Sequence, residues 1–199
     1  MGQTGLARSQ KKAHRLKAWL VFLDESGFLL APLVRRSWAP SGQTPVIYQR
    51  GRHHKKVSAI AALCVSPERD EVRLYFRLYP GGDVDSTRVI DFLRALNHEL
   101  AVNWCLIWDR LNAHRSKQTS RWLAGAQRLR TSFFPPYAPE LNPVEYLWSW
   151  TKINPLANRA FFDIDDLAVE ARHAARSLQH KQSLLRSFVQ HSPLLLRLK

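Results

Sequence analysis

The spacing of apolar and polar positions changes along the chain, and each change marks an element. AWLVFLDESG is an apolar run closed by acids and a glycine, the pattern of a buried strand ending at Asp24 and Glu25. FLLAPLVRRSWAP follows as a second extended segment or hairpin arm, and SGQTPVIYQRGRHHKK as a loop with a basic end. VSAIAALCVS is a β-rich apolar run and PERDE a turn. VRLYFRLYP alternates, with Val72, Leu74, Phe76 and Leu78 on one face and Arg73, Tyr75, Arg77 and Tyr79 on the other. That period of two predicts a half-exposed strand. In TRVIDFLRALNHELA the apolar residues fall at 89, 90, 92, 93, 96 and 100, which is helical spacing. NWCLIWD is a short buried strand ending on Asp109, RLNAHRS a loop, KQTSRWLAGAQ a short helix and LRTSFFP a strand.

Four prolines, Pro135, Pro136, Pro139 and Pro143, then interrupt the chain. Proline fixes φ and turns the preceding residue away from helix, so the segment predicts a stiff, extended approach. Asn142 and Pro143 suit the N-cap and first turn of a helix through about residue 152. DIDDLAVEARHAARSLQ and QSLLRSFVQHS read as two further helices. Early strands joined by short links can be antiparallel, and later ones alternating with helices should be parallel. The expectation is an α/β chain with a mixed sheet flanked by helices.

Composition sharpens this picture. The 199 residues suit one domain, and 45% hydrophobic residues can bury a real core. Thirty Lys and Arg against 16 acids leave a formal charge of +14, which argues for a polyanionic partner. No apolar run approaches the roughly 20 residues needed to span a bilayer, and the polar, basic N-terminus does not read as a signal peptide. Cys64 and Cys105 each sit in an apolar run, as buried reduced thiols would, and no Cys/His cluster suggests zinc.

Three acids occupy special places. Asp24 and Asp109 follow strand patterns, and Glu145 lies in the first turn of the helix after the prolines. Parallel sheets carry reacting groups at the carboxyl ends of their strands, so these acids can converge. Converging carboxylates repel unless cations share them, and hard oxygen ligands suit Mg²⁺ or Mn²⁺. Each acid also has a plainer reading. The aspartates would serve as turn residues, and Glu145 with Asn142 makes a variant capping box.

FLDESGF, LIWDRLNAHRSK and FFPPYAPELNPVEYLWSWTK resemble the three signature blocks of the DDE transposases of the mariner superfamily, in particular the bacterial insertion-sequence branch. The third block is the most specific. Between Asp109 and Glu145 lie 145 − 109 − 1 = 35 residues, close to that family's spacing, and RSWAP and ANRAFFDIDDL add to the likeness. The resemblance covers about residues 19 to 170. It implies a ribonuclease-H-like mixed five-stranded sheet flanked by helices, with extra C-terminal helices. It also implies metal-dependent DNA strand cleavage and joining, with Asp24, Asp109 and Glu145 holding two Mg²⁺ or Mn²⁺ ions. Glu25, Asn112 and His114 would stand behind these ligands.

The chain then divides into a basic arm (1–18), a catalytic domain (19–180) and a C-terminal helical tail (181–199). Arg50, Arg52, His53, His54, Lys55 and Lys56, with Lys11, Lys12 and Arg15, form candidate contacts to DNA phosphates. The partners implied are transposon terminal inverted repeats and TA-containing target DNA, a second copy in a homodimer, and a helix-turn-helix portion encoded upstream. The location implied is the bacterial cytoplasm, at the nucleoid. The rival reading is a non-catalytic DNA-binding or dimerisation fragment whose acids are only caps and turns.

Overall fold

A computed structural model describes residues 13, 15–49, 55–194 and 196–199. Five strands form one sheet: β1 (Trp19–Leu29), β2 (Lys56–Val65), β3 (Val72–Pro80), β4 (Trp104–Trp108) and β5 (Leu129–Phe133). Their spatial order is β3-β2-β1-β4-β5. β1, β2 and β3 are antiparallel neighbours, whereas β1–β4 and β4–β5 are parallel. The mixed sheet expected from the pattern is therefore present, with its change of direction at β1.

Helices cover both faces, because strands β1, β2 and β4 are apolar on both. The described helices are α1 (Ser86–Leu100), the single turn α2 (Asn112–Arg115), α3 (Lys117–Gly125), α4 (Pro143–Ile153), α5 (Ile164–Gln179) and α6 (Gln182–His191). On one face Trp19, Val21, Leu23 and Trp108 pack with Val89, Leu93 and Leu96 of α1. On the other, Leu20, Phe22 and Phe28 pack with Leu147 and Trp148 of α4, Ala171 and Leu178 of α5, and Phe188 of α6. Ala13, Leu194 and Leu196 are buried in that same core, so both flanks of the chain rest on the body. Cys64 and Cys105 are buried and are not joined by a disulfide. Among the described residues no helix is long and apolar enough to cross a membrane.

Three local expectations are corrected. β1 does not end at the acids. Its pairing with β4 stops at Phe22–Ile107, but its pairing with β2 continues to Leu29–Lys56. Asp24 thus lies inside a strand, just past the point where the sheet splits. The hairpin arm expected in FLLAPLVRRSWAP is absent: Phe28 and Leu29 belong to β1, and the chain from Pro32 onward is irregular, as the missing N–H of that proline favours. That segment is pinned by Asn158, whose N–H donates to Leu33 O at 2.9 Å and whose Oδ1 accepts from Arg35 N at 2.7 Å. The proline segment is not simply extended, since Tyr137 takes a φ of 58° and Pro139–Leu141 closes a 3₁₀ turn.

Candidate active site

Where β1 and β4 part, a cavity of about 250 Å³ opens, and Asp24, Asp109 and Glu145 all line it. A second cavity, of about 290 Å³, lies beyond the end of β1 and is lined by apolar groups and Lys152. Among the described residues no carboxylate lines it, whereas three line the smaller cavity.

Each acid is delivered by a different device. Asp24 is almost fully buried in β1, and its Oδ2 accepts from Trp148 Nε1 at 3.1 Å. Asp109 is the first residue after β4, where the ladder passes to Phe134 N–H donating to Trp108 O. Its Oδ1 accepts from Leu111 N at 3.0 Å and lies 2.7 Å from His114 Nδ1. Glu145 is the third residue of α4. Asn142 caps that helix through Val144 N–H and donates from Nδ2 to Leu23 O, each at 3.2 Å. One buried amide therefore ties the start of α4 to the residue before Asp24. The capping-box reading of Glu145 does not describe this geometry, because Asn142 N–H is taken by Pro139 O at 2.8 Å. Among the described residues the Glu145 carboxylate has no such return bond.

Electrostatics follow from this crowding. Burial, then the neighbouring charges of Glu145, Glu25 and Asp109, raise the Asp24 carboxyl from 3.8 to about 8. Burial also raises Glu145; Lys152 opposes this and Asp109 adds to it. Asp109 moves the other way: burial works against its charge, but hydrogen bonds from His114 and Leu111 outweigh it and hold the carboxyl below the usual range. His114 is the reason. Burial opposes its charge, yet the carboxylates of Asp109 and Glu25 raise it from 6.5 to about 9. Three oxygen-donor groups around one cavity, with one carboxyl driven toward its neutral form, make a donor set short of positive charge. A hard divalent cation fits it.

Glu25 points to the opposite face of β1 from Asp24, and its Oε1 lies 2.9 Å from His114 Nε2. His114 is fully buried and stacks on Trp108 at 4.1 Å. Asn112 is exposed at the start of α2 and does not line the cavity. Of the candidate phosphate contacts, Lys11, Lys12, Arg50, Arg52, His53 and His54 lie outside the described residues. Arg15 and Lys55 are exposed, and Lys56 is paired with Asp83 at 2.6 Å. Trp148 and Asn142 act on the site in ways the sequence pattern did not disclose. Arg110 also lines the cavity, its guanidinium 5.3 Å from the Phe133 ring centre.

The DDE superfamily endonuclease signature spans residues 19–168, most of the chain, and the chain belongs to that family. Its fold is the ribonuclease-H-like one of the Mos1 mariner transposase. The paired-end complex of Mos1 with Mn superposes with a TM-score of 0.66 at 17% identity, covering 96% of this chain and 58% of that one. The isolated Mos1 catalytic domain superposes with a TM-score of 0.52 at 13% identity, covering 96% and 91%. Among curated sequences, the uncharacterized protein y4pE/y4sA of Sinorhizobium fredii (strain NBRC 101917 / NGR234) is 54% identical over 35 residues, 18% of this chain and 26% of that protein. The chain thus spans little more than half of the Mos1 chain in its paired-end complex, and about a quarter of the curated relative.

Proposed function

We propose that this chain is the catalytic domain of a DNA transposase, which cleaves DNA at transposon ends and joins the freed 3′-hydroxyl to a TA-containing target. The observation that carries the reading is the convergence of Asp24, Asp109 and Glu145, from three separate elements, on one cavity. Their residues fit a pair of divalent ions, Mg²⁺ or Mn²⁺, and the similar Mos1 complexes were solved with Mn and with Mg. When bound, such ions supply Lewis acidity that activates a water or hydroxyl and neutralises the leaving oxygen. Asp24 offers a carboxylate held in place by Trp148. Asp109 offers Oδ2, its other oxygen being held by Leu111 and His114. Glu145 closes the set from α4, and Arg110 at the cavity wall is placed to meet a phosphate.

The partners in this reading are terminal inverted repeats and target DNA, with two copies of the chain acting as a homodimer. A helix-turn-helix portion encoded upstream would find the ends. The setting is the bacterial nucleoid. Support comes from the +14 charge and from Mos1, whose solved structures include a paired-end complex with a transposon end and a strand transfer complex.

The test is Mn²⁺-dependent nicking of labelled DNA. Wild type should nick, and Asp109→Asn should be slower by about 10²-fold or more, as for loss of a metal-positioning group. Equal rates in both proteins would assign the activity to a contaminant and favour the non-catalytic fragment.

A further inference from the structure

The most tightly organised ionisable cluster in the described chain is not the cavity triad but Glu25, Asp109 and His114, whose ligand atoms all lie within 4.8 Å of one another. We infer that Glu25 and His114 form a positioning clamp that fixes the rotamer of Asp109, so that one carboxylate oxygen is held back and the other is presented to the metal. The inference rests on the reading of Asp109 as a metal ligand given above.

The geometry is a relay across the split between β1 and β4. His114 Nε2 lies 2.9 Å from Glu25 Oε1, while Nδ1 is hydrogen-bonded to the Asp109 carbonyl oxygen at 3.2 Å and pairs with Asp109 Oδ1 at 2.7 Å, so the ring holds both the backbone and the carboxylate of Asp109. A carboxylate accepts and cannot donate while ionised, so the ring donates from both nitrogens. These are direct hydrogen-bond lengths, and they leave no room for an ion between the groups. The trio is therefore a bridged support and not a rival metal site. Asp109 Oδ1 takes a second donor, Leu111 N–H, at 3.0 Å. With Oδ1 doubly held, Oδ2 is the oxygen left for the cavity.

The rest of the clamp is rigid. The His114 ring stacks on Trp108 at 4.1 Å with 19° between planes, and Trp108 is itself fully buried. α2 is fastened from α3, since Thr119 Oγ1 donates to Ala113 O at 2.7 Å. Glu25 Oε2 is buried without a hydrogen-bond partner. Burying a carboxylate oxygen in that state is unfavourable, and an apolar residue would fill the space better. The presence of an acid there fits a task beyond packing: β1 supplies one ligand directly through Asp24 and steers another through Glu25. Outer groups of this kind commonly account for about 10- to 100-fold in metal affinity.

The test uses the full chain, with Mn²⁺ binding read by calorimetry and nicking measured against Mn²⁺ concentration. Asp109→Asn should lose Mn²⁺ binding; wild-type binding there would sink the site assignment and the clamp with it. Given that loss, Glu25→Gln and His114→Gln should each weaken Mn²⁺ binding by about 10- to 100-fold. They should raise the Mn²⁺ concentration for half-maximal nicking more than they lower the maximal rate. The double variant should bind no worse than the weaker-binding single one, because both changes break the same relay. Wild-type affinity in either single variant overturns the clamp alone. So does a double variant in which the two losses multiply, since Glu25 would then act independently of His114. If Glu25→Gln does not melt cooperatively, His114→Gln decides the matter by itself.

Discussion

At the scale of single residues, Asp24 makes the proposed role of a cation at this site measurable without any DNA. Its carboxyl stands at about 8 in place of 3.8, chiefly through burial and then through Glu145. A group whose folded pKa exceeds its unfolded one holds its proton more tightly in the native state. The metal-free protein should therefore lose stability as pH rises from about 4 to about 8, and stop losing it on this account above that. His114 acts in the same direction over a higher window: the stability it contributes is full below 6.5 and is lost as pH rises through about 9. In EDTA, a series of thermal melts should show the midpoint falling across both windows. Asp24→Asn, which keeps an acceptor for Trp148, should flatten the lower window and leave the upper one. Excess Mn²⁺ should restore the midpoint of wild type near pH 8 and do little for the variant. A wild-type midpoint that rises steadily from about pH 4 to about 8 would contradict the assignment. The three acids were legible as candidates because each stands at a boundary between patterns. Their supports were less so. Trp148 reads as core packing, and only the fold shows its N–H turned to Asp24.

At the scale of elements, what was legible depended on whether a signal was local. The alternation in VRLYFRLYP and the helical spacing from Val89 to Leu100 became β3 and α1, because one buried face is enough to impose a period. The extent of β1 was not local. Its second half survives through pairing with β2 alone, and no residue near Asp24 reports that partner. The left-handed turn at Tyr137 was hidden for the same reason: prolines announce a break in regular structure but not its direction. α4 shows the opposite case. Asn142 was readable as its cap, yet the amide also reaches Leu23 O across 119 residues of chain. Asn142→Ala should cost about 2 kcal/mol in urea unfolding, combining loss of a cap with an unpaired buried carbonyl. Asn142→Ser, which can cap but is too short to bridge to Leu23, should recover about 1 kcal/mol of that. Equal midpoints for wild type and Asn142→Ser would mean that the bond to β1 contributes nothing.

At the scale of the whole molecule, the proposed DNA partner makes the +14 charge matter through where its cations are free to meet phosphate. A Lys or Arg that neutralises a phosphate releases condensed counterions, and each such contact steepens the slope of log K against log salt by about 0.9. Lys55 and Lys56 are adjacent, both exposed, and equally basic on paper. The fold separates them. Lys56 Nζ is 2.6 Å from Asp83 Oδ1, so its charge is already shared with an acid at the edge of the sheet. Replacing it by alanine also releases Asp83, whose charge would then face the DNA unmasked. Lys55→Ala should make the salt slope shallower by about 1 while lowering affinity on any duplex sequence alike. Lys56→Ala should lower affinity at low salt through the freed Asp83 but change the slope less than Lys55→Ala does. Asp83→Asn should do the reverse, tightening binding and steepening the slope by releasing Lys56 to the phosphate backbone. Fluorescence anisotropy of a labelled duplex across a salt series separates these cases. Identical slopes for the two lysine variants would show that the ion pair opens when DNA binds, and that Lys56 reaches phosphate as freely as its neighbour.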